Sequence, residues 1–168
     1  MRPKPSVPPA GTGTLESIAD TTLEISNVFT WSSAQRDSAM AVLAANRAKW
    51  VAYRPRTYEY WEHGWCFCFA RWSGPHLVVI RNARLVSATD TSRQTVDSAY
   101  MKAVGRKLAG IDALFEQLAT GIRDTTIDEV RVSYDATHGY PVSITYDRWL
   151  TAADDEFYVK VSHLRAIP

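Results

Sequence analysis

No apolar run in this sequence exceeds seven residues, "GWCFCFA" at 64–70 being one of that length. A membrane-spanning helix needs ~20, so none is expected. No charged segment followed by an apolar stretch opens the chain as written, so neither a signal peptide nor an anchor is expected within it. Net charge is also nearly absent, at +1 with a pI near 7.8, where a nucleic-acid binder shows a concentrated basic face and a high pI. Nucleic acid is therefore not an expected partner. The sequence lacks a nucleophile elbow, a P-loop, a dinucleotide fingerprint and a His-Glu-x-x-His motif. An enzyme is not expected, nor a cofactor.

The small net charge conceals an uneven distribution. Residues 1–110 hold 14 Lys/Arg against 8 Asp/Glu, while residues 111–168 hold 5 against 10. The chain reads as an electrically two-sided globule. Hydrophobic residues make up 46% and charged residues 22%, the ordinary balance of a protein with a packed core.

Four of the eight prolines fall in the first nine residues, and two glycines follow. Residues 1–14 are expected to be a flexible linker and residues 15–168 a single domain. Such a leader implies that a signal peptide or lipid anchor stands ahead of Met1 in the natural protein.

"TTLEISNVFTW" alternates Leu23, Ile25, Phe29 and Trp31 and predicts a strand. Ser32 and Gln35 have capping-box spacing, and the alanine-rich run behind them predicts a helix over about 33–52, ended by the proline of "YRPRT". Residues 57–72 and 76–88 predict an antiparallel hairpin around "SGP", with a second turn at "RNAR". "AYMKAVGRKLAG" has the composition of a short helix. Ile111, Leu114, Phe115, Leu118 and Ile122 mark one face of a further helix. "EVRVSY", "PVSITYD" and "EFYVKVSHL" alternate as antiparallel strands with one wet face, the first two joined by "DATHGYP". The order predicts an α+β fold, a twisted antiparallel sheet of about five strands with helices packed on one face.

Residues 45–164 resemble a bacterial family of small secreted or lipoprotein-anchored proteins defined as a domain of unknown function. The pieces that carry the resemblance are "YEYWEHGWCFCF", "LVVIRNARLVSA", "GIDALFEQL", "DEVRVSYDATHGYPVSITYD" and "DDEFYVKVSHL". It implies an extracytoplasmic location, periplasmic or in the cell envelope, and no reaction. The chain departs from the family in "FARWSGP" after the cysteines and in its first 44 residues.

On a regular strand Cys66 and Cys68 share a face at ~6.6 Å between Cα atoms, the upper edge of disulfide geometry. A disulfide would need a bulge there, and the oxidising location implied by the resemblance favours one. Two buried thiols are the second reading, and a thiol-redox or copper-handling pair the third. Zinc wants four ligands, and His63, His76, His138 and His163 lack ligand spacing around the pair, so no metal site is expected.

Nine of the nineteen aromatics lie in residues 50–72. They mark either core packing or a recognition surface, the surface candidates being Tyr58, Tyr60, Trp61, Trp65 and Trp72, joined by His138 and Tyr140. Asp135 and His138 could do acid–base work but lie in turn chemistry. "DDE" at 154–156 lacks calcium-loop spacing. The expected function is a non-catalytic extracytoplasmic module that binds a partner protein or envelope component.

Overall fold

The computed structural model describes residues 21–26, 32–66, 75–96, 108–148 and 156–168, giving the backbone alone for 21–26, 65 and 66. Seven strands form one antiparallel sheet: β1 Thr21–Ser26, β2 Thr57–Cys66, β3 Pro75–Arg81, β4 Arg84–Thr89, β5 Glu129–Tyr134, β6 Pro141–Asp147 and β7 Phe157–Ala166. Two helices accompany them, α1 Ser33–Tyr53 and α2 Ile111–Arg123. The class is α+β as expected, but five strands is an undercount. The "RNAR" turn divides one expected strand into β3 and β4, because Asn82 and Ala83 both take positive φ, 49° and 60°, the geometry of a two-residue hairpin turn. β1 pairs with β5, more than a hundred residues away in sequence, a partnership that no local pattern announces.

The sheet order is β1-β5-β6-β7-β2-β3-β4. β7, last in sequence, lies in the middle, with Ile144 opposite Val159 on one side and Glu62 opposite Val161 on the other. Ile167 then donates its backbone N–H to the Thr57 carbonyl at 2.9 Å.

Helix α1 begins where the capping box predicts. Ser32 Oγ accepts from the Gln35 N–H at 3.3 Å, and Ser32 N–H donates to Gln35 Oε1 at 2.9 Å. It ends as Arg54 N–H returns to the Trp50 carbonyl, and Pro55 cannot continue it. Ala39, Leu43, Asn46 and Trp50 form its buried stripe. In α2 the five predicted face residues, Ile111, Leu114, Phe115, Leu118 and Ile122, are all buried. Among the described residues no helix is long and apolar enough to cross a membrane.

The beginning of α2 is unusual. Gly110 occupies the N-cap position and has no side chain to satisfy the first amides. Tyr58 of β2 takes over that role, its hydroxyl oxygen accepting from the Ile111 N–H at 3.1 Å. Tyr60 donates to the Ala109 carbonyl, with the Glu62 carboxylate 3.2 Å away. A Cβ on residue 110 would sit 2.8 Å from the Tyr58 hydroxyl, so the glycine is what lets the tyrosine in. The indole of Trp50 meets the Tyr58 ring edge-on at 5.3 Å. One phenol thus touches both helices.

The helix over "AYMKAVGRKLAG" lies outside the described residues except for Leu108–Gly110, which are not helical. Phe29 and Trp31 of the first expected strand lie outside the described residues, as do Ser73 and Gly74 of the "SGP" turn, whose Pro75 begins β3.

Tyr58→Phe leaves the Ile111 amide buried without an acceptor, which costs about 1–3 kcal/mol. At this chain length we expect a Tm lower by roughly 2–12 °C, with the Ile111 amide losing protection from hydrogen exchange. Unchanged exchange at Ile111 would refute the capping role. Burial also pushes the Tyr58 hydroxyl up to about 12, above the ordinary value near 10. The neutral phenol belongs to the native state, so this stabilisation is complete below about pH 10 and is lost as pH rises through about 12. Thermal melts at rising alkaline pH should show it.

Candidate functional site

The candidate residues from the aromatic run separate by strand parity. Tyr58 and Tyr60 are fully buried, at 1% and 0% exposure, so neither ring is at the surface. Trp61, between Tyr60 and Glu62, is half-buried on the opposite side of β2, with Leu77 and Ser162 as its cross-strand neighbours. The Trp65 backbone pairs with Tyr158. The Trp65 side chain and all of Trp72 lie outside the described residues. So do Cys68 and the Cys66 side chain, and with them the question of a disulfide, two thiols or a redox pair. The Cys66 backbone ends β2 opposite Phe157.

His138 and Tyr140 belong to a different place, the β5–β6 loop, where they dock that loop on the last turns of α1. The His138 ring lies 3.7 Å from Tyr53, centroid to centroid, and Tyr140 meets Trp50 edge-on at 6.1 Å. Lys49 Nζ donates to the Ala136 carbonyl at 3.2 Å. Asp135 closes the turn, its Oδ1 accepting from the Thr137 and His138 amides. His138 Nδ1 is 3.2 Å from the same oxygen. Gly139 sits at φ 74°, and a Cβ there would run into the Asn46 carbonyl and come within 2.8 Å of Lys49 Cβ, so any side chain would be strained. The Asp135–His138 pair is therefore built into a docked turn. His63, His76 and His163 stand on β2, β3 and β7, and among the described residues no group of three His, Cys, Asp or Glu could hold a metal ion.

Two features escaped the sequence pattern. Glu62 and His76 are directly opposite on β2 and β3 and are both buried. Alternation places Glu62 on the tyrosine face, and the paired register supplies the histidine. The second is a cleft of about 530 Å³ between α2 and the adjoining ends of β6 and β7, within the range of ligand-sized pockets. Tyr146, Phe157 and Ile127 give it an apolar floor, and Glu116, Gln117, Thr120, Asp124 and Arg148 a polar rim.

Gly121 creates the floor. A Cβ there would overlap Tyr146 Cε1 and come within 3.1 Å of Cδ1, so the missing side chain admits the ring, which stacks on Phe157 at 6.3 Å. The Tyr146 hydroxyl is buried with no hydrogen-bond partner among the described residues, and burial raises its pKa well above the ordinary tyrosine value. At the rim, Asp124 Oδ1 accepts from the Thr126 N–H at 2.8 Å and the Thr126 hydroxyl at 2.7 Å. Those bonds, with smaller contributions from Arg148 and Arg36, hold its carboxyl below the usual carboxylate range. Arg36 of α1 also donates to the Ile122 and Asp124 carbonyls, fastening the end of α2 that bounds the cleft. The arrangement offers an apolar slot beside a persistently ionised carboxylate.

Gly121→Ala gains about 1 kcal/mol of helix propensity but overpacks against a stacked ring, a cost of about 1–3 kcal/mol. We expect a net loss of stability in denaturant melts that disappears, or reverses, when Tyr146→Leu is combined with it. Equal cost in both backgrounds would show that Tyr146 is not the reason for the glycine.

No curated protein and no solved structure matches the chain. The model of DUF6174, a family of unknown function, matches residues 42–166, from within α1 to the last residue of β7. With about three quarters of its length so matched, the chain belongs to the DUF6174 family.

Proposed function

We propose that the protein is a non-catalytic binding module working outside the cytoplasm, and that the cleft beside α2 takes a basic, partly apolar segment of a partner protein. The observation that carries this reading is the cleft's pairing of an aromatic floor with the ionised Asp124, beside Arg148 and a Glu116 whose carboxylate is already held by Arg47 at 2.5 Å. Its lining comes wholly from residues 116–157, within the portion of the chain where acidic residues outnumber basic ones two to one. A segment that presents an aliphatic side chain next to Lys or Arg would fill the slot and meet the carboxylate. In this reading both helices lie on one face of the sheet, supported by Trp50 and Ile111 meeting the same Tyr58.

The test is fluorescence anisotropy of the full chain with short peptides that pair aliphatic and basic residues, against acidic and neutral controls. We expect selective binding of the basic set, weakened a few-fold by Asp124→Asn, since a solvent-screened charge contact is lost. Because the Asp124 pKa is lowered, affinity should persist through the ordinary carboxylate range and fall only as pH drops below it. Equal binding of acidic peptides, or indifference to Asp124→Asn, would overturn the reading. Selective retention of an envelope polysaccharide instead would reassign the cleft.

A further inference from the structure

The other end of α2 carries a surface of opposite character. At the β3–β4 turn, Arg81 and Arg84 face each other as the closing pair of the hairpin. Arg56 is tied to the same turn, its carbonyl accepting from the Asn82 N–H at 2.8 Å. All three arginines are exposed, and none is engaged by a carboxylate among the described residues. The neighbouring acids are occupied, Glu59 by Arg165 and Asp112 by Arg54 at 2.8 Å. Beside Arg84 stand Leu85 and Val86, 45% and 55% exposed, two of the three large hydrophobic residues exposed among the described ones. The turn itself adds the exposed Ala83.

Unpaired arginines around protruding aliphatic side chains, at a hairpin tip rather than in a groove, match one kind of partner. We propose that this tip docks on an anionic phospholipid surface, with Leu85 and Val86 entering the headgroup boundary and Arg56, Arg81 and Arg84 bound to lipid phosphates. Two competing occupants fit less well. An added β-strand would need the free edge of β4, yet that edge is broken by a register shift opposite Val79–Ile80 and is closed at Ala88, whose carbonyl accepts from the Val96 N–H at 2.9 Å. A second copy of this chain would bring arginine against arginine across a small apolar patch. The proposal is independent of what the cleft binds, since none of Arg56, Arg81, Arg84, Leu85 and Val86 lines it.

Co-sedimentation of the full chain with phosphatidylglycerol-containing and pure phosphatidylcholine vesicles tests it, at low and high salt. We expect binding to the anionic vesicles alone, lost at high salt. Each arginine should contribute about fivefold, so R56Q/R81Q/R84Q weakens binding about a hundredfold. L85S/V86S should weaken it while preserving the salt dependence. These side chains are exposed, and a thermal melt checks that each variant stays folded; R84E alone serves if the triple variant does not. Equal binding to both vesicles, no binding to either, or wild-type binding by folded R84E would overturn the proposal. So would capture of an acidic peptide, or a concentration-dependent dimer, that uses the tip while vesicles are ignored.

Discussion

Two phenols of one strand hold the rest of this molecule in place. Tyr58 and Tyr60 rise from the same face of β2 and grip opposite ends of the same short connection, one taking the first amide of α2 and the other giving a proton to the carbonyl just before it. A helix whose N-cap is glycine cannot finish its own terminus. The sheet finishes it, and so fixes the axial position of α2. Because α1 lays Trp50 on the same ring, the placement of both helices passes through one side chain. The cleft at the far end of α2 inherits its position from that anchor.

Much of this was legible in the sequence and some was not, and the difference is physical. Strands β5 and β7 and helix α2 showed themselves because each has one dry side, which imposes a period on its own residues, whereas β6 buries Pro141, Ile144 and Asp147 and leaves Val142 and Tyr146 half-buried. The capping box at Ser32 is likewise a local bargain between neighbours. The aromatic run at 50–72 left core packing and a recognition surface both open, because density along the chain is not density in space, and Trp50, Tyr58 and Tyr60 went to the core. Successive strand residues point to opposite sides, so Tyr60 and Trp61 are adjacent in sequence and separated by the sheet. The cleft had no signature at all, since its defining feature is the hydrogen that glycine carries at position 121 in place of a side chain.

The charge asymmetry of the sequence also acquires a geometry. The basic hairpin tip lies at the end of the sheet where β2 begins and β7 finishes, whereas the acidic cleft lies where β6 finishes and β7 begins. The axis of α2 runs from one to the other. In a chain of almost no net charge, this arrangement creates a dipolar particle that enters an external field with a preferred orientation, presenting one end to anions and the other to cations.

The position of β7 has a consequence for assembly. Strands β2 to β4 and strands β5 and β6 are neighbours in the chain, and each set zips up locally, but the two sets meet only through β7, which follows them all. Until residues 157–166 arrive, β2 and β6 each expose a full row of unpaired amides and carbonyls in the middle of the future sheet. Either half-sheet on its own would therefore be open to edge-to-edge pairing, and β7 closes both exposed edges in one step.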